Sequence, residues 1–264
     1  MKEPHFLDEG WDEFEIEEHG PCYVCPILAV IAVVIALVLG IGIAEAQEHV
    51  DTILVTGLDV SSSINAQETM LQVQGVADAI RSPAVVGAIE HGKTGRIGFQ
   101  VFVWADGDFP ELVAWRAIDG QESAEEAASE LLMRLEALVA STQQNVGSLT
   151  NLSAALDHAR DVLATAPFTA DRAVVNIVGN GEDNVAETPN LARDALVRDG
   201  VTINGVVVGG DPAVMAYYRA NVIGGKNRFV LPAGSAEDMA GAMIAKFVTE
   251  IAGGIGRTIY RTSG

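Results

Sequence analysis

The chain has 264 residues, nearly half of them apolar and 27 of them glycine, which is long enough for one α/β domain with a substantial core. Its 36 acidic and 16 basic side chains give a formal net charge of −20, and we expect no nucleic-acid partner because such a partner requires a basic surface.

Residues 1–26 begin the chain with an acidic segment. The first twenty residues contain eight acidic side chains and one lysine, a composition typical of a solvated, disordered tail. The only two cysteines, Cys22 and Cys25, stand near its end in PCYVCP. Their spacing suits a redox pair or half a zinc site, and a cysteine before an apolar run also suits lipidation, but no second pair completes a zinc site.

Residues 27–46 form an apolar segment that predicts export. Residues 27–44 carry no charge and have about the shortest length that spans a bilayer. The A-x-A pattern at 44–46 suits signal peptidase, although the acidic residues before the segment depart from the basic start of a signal peptide. The segment is therefore either a cleaved signal or an uncleaved anchor. We expect a periplasmic or secreted protein, with membrane contact only through residues 27–44 if they are uncleaved.

From residue 50 onwards, apolar runs and helical periodicities alternate. Strands are predicted at 51–59, 95–104, 112–118, 172–180, 201–210 and 228–232, and helices at 65–80, 123–140, 152–164, 191–199, 212–221 and 236–251. The second and third strands are expected to pair antiparallel, and Asn65 with Glu68 fits a capping box at the first helix. The alternation predicts an α/β fold over residues 50–252, with a doubly wound, mostly parallel central sheet and helices on both faces. Residues 253–264 are expected to be a loose tail.

Three polar loops follow predicted strands or precede predicted helices. Asp59, Ser61 and Ser63 form a D-x-S-x-S run after the first strand, Thr150 precedes a helix, and Asn180 ends a strand. Because doubly wound sheets bind ligands at the carboxyl ends of their strands, we expect these oxygens to converge. Such oxygens suit Mg²⁺, whereas zinc prefers the histidine and cysteine that these loops lack. The alternative is that Ser62 or Ser63 caps the first helix, that Thr150 or Asn151 caps the next one, and that NGEDN is a plain turn.

Six segments carry a family resemblance: LDVSSSI, LQVQGVADAIRSPAVVGAIEHG, GRIGFQVFVWADG, VTINGVVVGG, YYRANVIGG and FVLPAGSAEDM. Together they resemble a von Willebrand factor A-type (VWA) domain, and more narrowly an uncharacterised bacterial branch described only as a domain of unknown function. The resemblance covers about residues 50–252. It implies a Rossmann-like three-layer sandwich with a metal-ion-dependent adhesion site, in which Asp59, Ser61, Ser63 and Thr150 bind Mg²⁺ or Mn²⁺.

Asn180 departs from the family pattern, which has an aspartate at this position. An amide oxygen still coordinates a metal or holds a coordinating water, but it brings no negative charge. The departure predicts weaker metal affinity and a bound ion that attracts an anionic ligand more strongly. Glu182 and Asp183 compensate only if their turn reaches back to the site.

The resemblance implies an exported or membrane-tethered binding module that recognises a protein partner through the metal. A Glu or Asp carboxylate of the partner would complete the coordination sphere. One alternative is a structural interaction scaffold whose metal site is degenerate, for which Asn180 is the motivating observation. The other alternative is a metal-assisted hydrolase.

We expect no enzymatic activity. The chain has no G-x-S-x-G elbow, no P-loop and no G-x-G-x-x-G motif after a strand. A serine nucleophile needs a base within hydrogen-bond reach, and His158 lies about two turns into the helix that follows Thr150. Trp104 either packs in the core or lines a partner surface. One ring of the pair Tyr217 and Tyr218 is expected to pack and the other to be exposed.

Overall fold

The computed structural model describes residues 30–31, 47–140, 146–185 and 188–253, and it divides the chain into one unit over residues 1–46 and a second over 47–264. Of the first unit only two exposed helical residues, Val30 and Ile31, are described. The predictions for the acidic tail with its two cysteines, for most of the apolar segment and for residues 254–264 lie outside the described residues. Within the described part, no helix is both long and apolar enough to cross a membrane.

The strands of the second unit are β1 (Glu48–Val50), β2 (Thr52–Asp59), β3 (Ile97–Trp104), β4 (Glu111–Ile118), β5 (Phe168–Ala170), β6 (Ala173–Gly179), β7 (Thr202–Val208) and β8 (Val230–Ala233). Six of them form a central sheet with the order β4-β3-β2-β6-β7-β8. All neighbouring strands of this sheet are parallel except β3 and β4, which pair antiparallel as predicted. The short strands β1 and β5 form a separate parallel pair that the sequence pattern did not predict.

Seven α-helices and one π-helix connect and cover the strands in the described part. They are α1 (Ala66–Ile80), α2 (Pro83–Glu90), α3 (Gln121–Ala140), α4 (Leu152–Ala164), α5 (Asn190–Arg198), α6 (Pro212–Tyr217), the π-helix (Tyr218–Val222) and α7 (Ala236–Ile251). The capping box of Asn65 and Glu68 at α1 is confirmed. Helix α2 was not predicted, because its start depends on a Ser82 cap and a proline that also suit a plain turn. The helix predicted at 212–221 instead changes from α to π geometry at Tyr218.

Two apolar layers lie on opposite faces of the sheet, so the predicted doubly wound α/β architecture is confirmed. Leu54 and Phe99 belong to the layer that includes residues of α1, α2, α3 and α7. Trp104 and Tyr218 belong to the layer that includes residues of α4, α5 and the π-helix. Both of these rings are fully buried, so Trp104 packs in the core, while Tyr217 is half-buried.

A buried polar network attaches α7 to the sheet. Glu250 accepts hydrogen bonds from Lys246 on the same helix, from Asn204 at 2.6 Å and from Asn176 at 3.2 Å. Lys246 is fully buried, and its ammonium lies 4.9 Å from the centre of the Phe229 ring. Burial lowers the pKa of Lys246, and the Glu250 carboxylate opposes that shift. The ion pair therefore keeps two buried charges compensated in the core.

Candidate metal site

The three polar loops meet at the carboxyl edge of the sheet, beside its central strands. Strand β2 lies between β3 and β6, so the strand order reverses at this position. Asp59 is the last residue of β2, and Asn180 directly follows β6. The loop that precedes α4 contacts the loop after β2, where the Ser62 N–H donates to the Ser148 carbonyl at 2.9 Å. This is the place at which doubly wound sheets bind ligands.

Four of the five predicted site residues form a continuous chain of side-chain hydrogen bonds. The Thr150 hydroxyl lies 3.3 Å from that of Ser61, which lies 3.1 Å from that of Ser63. The Ser63 hydroxyl donates to Asn180 Oδ1 at 2.8 Å, and Asn180 Nδ2 donates to the Ser63 carbonyl at 3.0 Å. Residues from three separate loops are thus brought to one point.

Asp59 joins this chain through the backbone of Ser61. Its Oδ1 accepts the Ser61 N–H at 2.8 Å, and its carbonyl accepts a hydrogen bond from Gln72 at 2.9 Å. The side chain is fully buried, and Oδ2 has no hydrogen-bond partner among the described residues. Burial raises the pKa of Asp59 from 3.8 to about 6, although hydrogen bonds from Ser61 and from the Asn180 backbone lower it in part. A cation at this point would compensate the buried negative charge.

The helix-cap alternative is wrong for Ser62, Ser63 and Thr150 and is confirmed for Asn151. Helix α1 is capped by the side chain of Asn65, which accepts the Glu68 N–H at 3.0 Å. Helix α4 is capped by Asn151, which accepts the Ala154 N–H at 2.9 Å. The hydroxyls of the candidate site therefore contact one another and Asn180 instead of helix ends.

Three further residues hold the loops in place, and sequence reasoning did not assign them these roles. Asp106 Oδ1 accepts the N–H groups of Ser148 at 2.6 Å and of the next residue at 2.8 Å. Asn184 Oδ1 accepts the Thr150 N–H at 2.9 Å. Asp183 accepts N–H groups at the start of α4, so it acts as a second cap and does not compensate for Asn180. Their only sequence signal was the turn composition of ADGD and NGEDN.

The donor set fits a hard divalent cation. One carboxylate, three hydroxyls and one amide oxygen are the ligand types that Mg²⁺ and Mn²⁺ accept. Within the described residues, no three histidine, cysteine, aspartate or glutamate side chains converge on one point. Any metal held here would therefore depend on the hydroxyl and amide oxygens. Zinc is less well matched, because its usual nitrogen and sulfur ligands are missing from this set.

His158 is engaged in aromatic packing. Its ring is stacked on Phe109 at a centroid distance of 4.6 Å and meets Phe102 edge-on at 4.7 Å. The ring is half-buried, and burial lowers the pKa of His158. Its contacts are those of a packing side chain on α4.

Comparison with known proteins places this fold among VWA domains. Proximal thread matrix protein 1 from the mussel byssus, solved with a zinc-occupied MIDAS motif, shares 17% identity with this chain at a TM-score of 0.55, covering 78% of this chain and 49% of that one. A von Willebrand factor type A protein from Catenulispora acidiphila shares 15% identity with this chain at a TM-score of 0.51, and the match covers 76% of this chain and 43% of that one. The pilus adhesin SpaC from Lactobacillus rhamnosus GG shares 9% identity at a TM-score of 0.51, and the match covers 78% of this chain and 31% of that one.

The chain thus spans about half or less of the length of these solved proteins. No curated protein matches the chain. Residues 49–255 match the family described as "Protein of unknown function (DUF1194)", which is well over half of the chain. The chain therefore belongs to the DUF1194 family, and its fold is that of a von Willebrand factor type A domain.

Proposed function

We propose that this protein is a binding module that recognises a protein partner through a divalent metal ion. The observation that carries the proposal is the convergence of Ser61, Ser63, Thr150 and Asn180 beside the buried Asp59. Residues from three loops have no packing reason to direct hydroxyls at one another at a sheet edge. A shared cation gives that reason, and it would also compensate the buried negative charge of Asp59.

The five residues would hold Mg²⁺ or Mn²⁺, with Asn180 bound directly or through a water. When bound, the ion supplies a positive centre that accepts a carboxylate from the partner. Ser61 and Thr150 are buried, whereas Ser63 is exposed, so the open side of the site faces solvent beside Ser63. A Glu or Asp of the partner would complete the coordination there, and its charge would offset the charge that Asn180 does not supply.

The comparisons support this proposal through proteins of the same fold. One of them was solved with a zinc-occupied MIDAS motif, and another is a pilus adhesin. We further propose that the protein is exported to the periplasm or secreted, with residues 27–46 as signal or anchor, and that it has no enzymatic activity. A screen with phosphoester substrates tests the last point, and turnover above the metal-free blank would contradict it.

A structural scaffold with a degenerate metal site is the second candidate. The observation that favours it is the two-way bridge between Asn180 and Ser63, which ties two loops together without any ion. An aspartate at this position has no N–H₂ to donate to the Ser63 carbonyl. In this case the hydroxyl chain only stabilises the loop edge.

Calorimetric titration of Mg²⁺ and Mn²⁺ into the purified protein separates the two candidates. Saturable binding that Asp59→Ala abolishes would support the metal-dependent module. The matched control is Ser62→Ala, because Ser62 is exposed and, among the described residues, joins the loop contacts through its backbone N–H.

Absence of binding in the wild-type protein leads to a second titration with Asn180→Asp. Binding restored by this substitution would show that the amide has disabled the site and would favour the scaffold. If Asn180→Asp also binds no metal, metal-dependent recognition is refuted.

A further inference from the structure

Three buried polar atoms lie together beneath the candidate metal site. Asp59 Oδ2, Trp104 Nε1 and Tyr218 Oη are each buried and have no hydrogen-bond partner in the described part of the chain. Buried polar groups in folded proteins nearly always have a partner, and an unpaired one costs free energy. Three such atoms in one place therefore need an explanation.

The position of Gly179 shows that these atoms share one small space. A Cβ atom on Gly179 would lie 2.7 Å from Tyr218 Oη, 2.9 Å from Asp59 Oδ2 and 3.2 Å from Trp104 Cζ2. Cζ2 is bonded to the ring carbon that carries Nε1, so the nitrogen edge of the indole faces the same space. A hydroxyl and a carboxylate oxygen thus approach the same backbone position from two different elements.

Glycine residues on three adjacent strands leave room for these side chains. On β2, a Cβ on Gly57 would lie 2.6 Å from Phe102 Cζ and 3.1 Å from Trp104 Cδ1, so both rings need a glycine there. On β7, a Cβ on Gly205 would lie 2.8 Å from Tyr218 Cδ1. Tyr218 itself begins the π-helix, a geometry that is rare and occurs often at functional sites. The sheet and the π-helix together bring the tyrosine hydroxyl to the underside of Asp59.

We propose that Tyr218 is the positioning residue of Asp59, and that its hydroxyl is the hydrogen-bond donor for Oδ2. The Ser61 N–H already holds Oδ1 at 2.8 Å, so a donor on the second oxygen would fix the carboxylate plane. A fixed carboxylate presents its charge to the serine hydroxyls in one orientation. The consequence for metal binding rests on the proposed function, whereas the hydrogen bond itself does not depend on a metal.

The chemistry of the two groups favours this pairing. Burial and the nearby Asp59 carboxylate raise the pKa of Tyr218, so the hydroxyl keeps its proton and is able to donate. The titratable groups close enough to influence this hydroxyl are Asp59 and Tyr217. The phenol O–H rotates its hydrogen toward an acceptor, and an ionised carboxylate is a strong acceptor.

A double-mutant cycle in the presence of chelator tests the hydrogen bond without any metal. Tyr218→Phe, Asp59→Ala and the double variant are unfolded in urea at pH 8. Tyr218→Phe keeps the ring over Gly205, so the core remains filled. We expect the two substitutions to be coupled by about tenfold in the folding equilibrium constant, as for a hydrogen bond to a charged group.

Tyr217→Phe is the matched control, because it makes the same chemical change in the neighbouring residue, whose ring is half-buried. The cycle of Tyr217→Phe with Asp59→Ala is expected to be additive. Additive behaviour of Tyr218→Phe with Asp59→Ala would overturn the proposal, whether or not the protein binds metal. This result is distinct from failure of the proposed function, which is read from the metal titrations of the wild-type protein and of Asn180→Asp.

Metal titration then tests the positioning role. Tyr218→Phe is expected to weaken the affinity for Mn²⁺ by roughly 10- to 100-fold, as for other groups that orient a metal ligand. A tyrosine that only fills the core would leave the affinity of the phenylalanine variant at the wild-type value. That outcome in a metal-binding protein would also overturn the proposal.

Discussion

Folding buries the Asp59 carboxylate and raises its pKa from 3.8 to about 6. The folded protein therefore holds the proton of this group more tightly than the unfolded chain does. The stabilisation from that proton is fully present below pH 4 and is lost as the pH rises through about 6. A shift of about two units corresponds to about 3 kcal/mol of unfolding free energy, which the metal-free protein loses across this pH range.

Asp59→Asn removes this dependence, because an amide does not ionise and its oxygen still accepts the Ser61 N–H. In chelator, we expect the free energy of unfolding of the variant to rise relative to that of the wild-type protein by up to about 3 kcal/mol between pH 4 and pH 8. The assay is urea unfolding at several pH values, followed by circular dichroism. Mg²⁺ at about a hundred times its dissociation constant should return about 2.7 kcal/mol to the wild-type protein at pH 8 and nothing to the variant.

The matched control is Asp106→Asn at the same edge of the sheet. Asp106 is exposed, and backbone N–H groups lower its pKa, so its substitution carries no burial cost to relieve. If the stability difference between Asp59→Asn and the wild-type protein is the same at pH 4 and pH 8, the buried carboxylate carries no ionisation cost. The reasoning from burial to metal binding would then be refuted.

Three further predictions concern the surroundings of the site. Lys246→Met leaves Glu250 buried and uncompensated, so we expect urea unfolding to show a loss of about 3–5 kcal/mol in the free energy of unfolding. Adding Glu250→Gln to this variant should restore a part of that loss, and additive losses would contradict the ion pair. Asn65→Ala removes the cap of α1 and should cost about 1 kcal/mol without changing metal affinity in a titration; a matching loss of affinity would show that the cap orients the serine loop. Asp106→Ala frees two backbone N–H groups of the loop before α4, so we expect weaker Mn²⁺ binding in calorimetry with a stability loss of about 1 kcal/mol; unchanged affinity would mean that this loop is held by other contacts.

Much of the fold was readable from local sequence. The helices at 152–164 and 236–251 begin and end where their periodicity predicts, because caps and apolar spacing are encoded within a few neighbouring residues. The continuous apolarity of β2 predicted a central strand for the same reason. Helix α2 and the pair β1–β5 were missed, since they are short and their sequences suit turns equally well.

The sequence by itself also placed the D-x-S-x-S run after a strand, Thr150 before a helix and Asn180 at the end of a strand, through their spacing and the alternation of elements. The sequence also predicted the Asn65 cap of α1. Only the tertiary structure decided that Asn151, and not Thr150, caps α4 and that the hydroxyls contact one another. It alone decided that Tyr218 reaches the underside of Asp59. Local patterns specify which element forms, but the burial of a carboxylate and the groups around it depend on distant strands that meet only in the folded sheet.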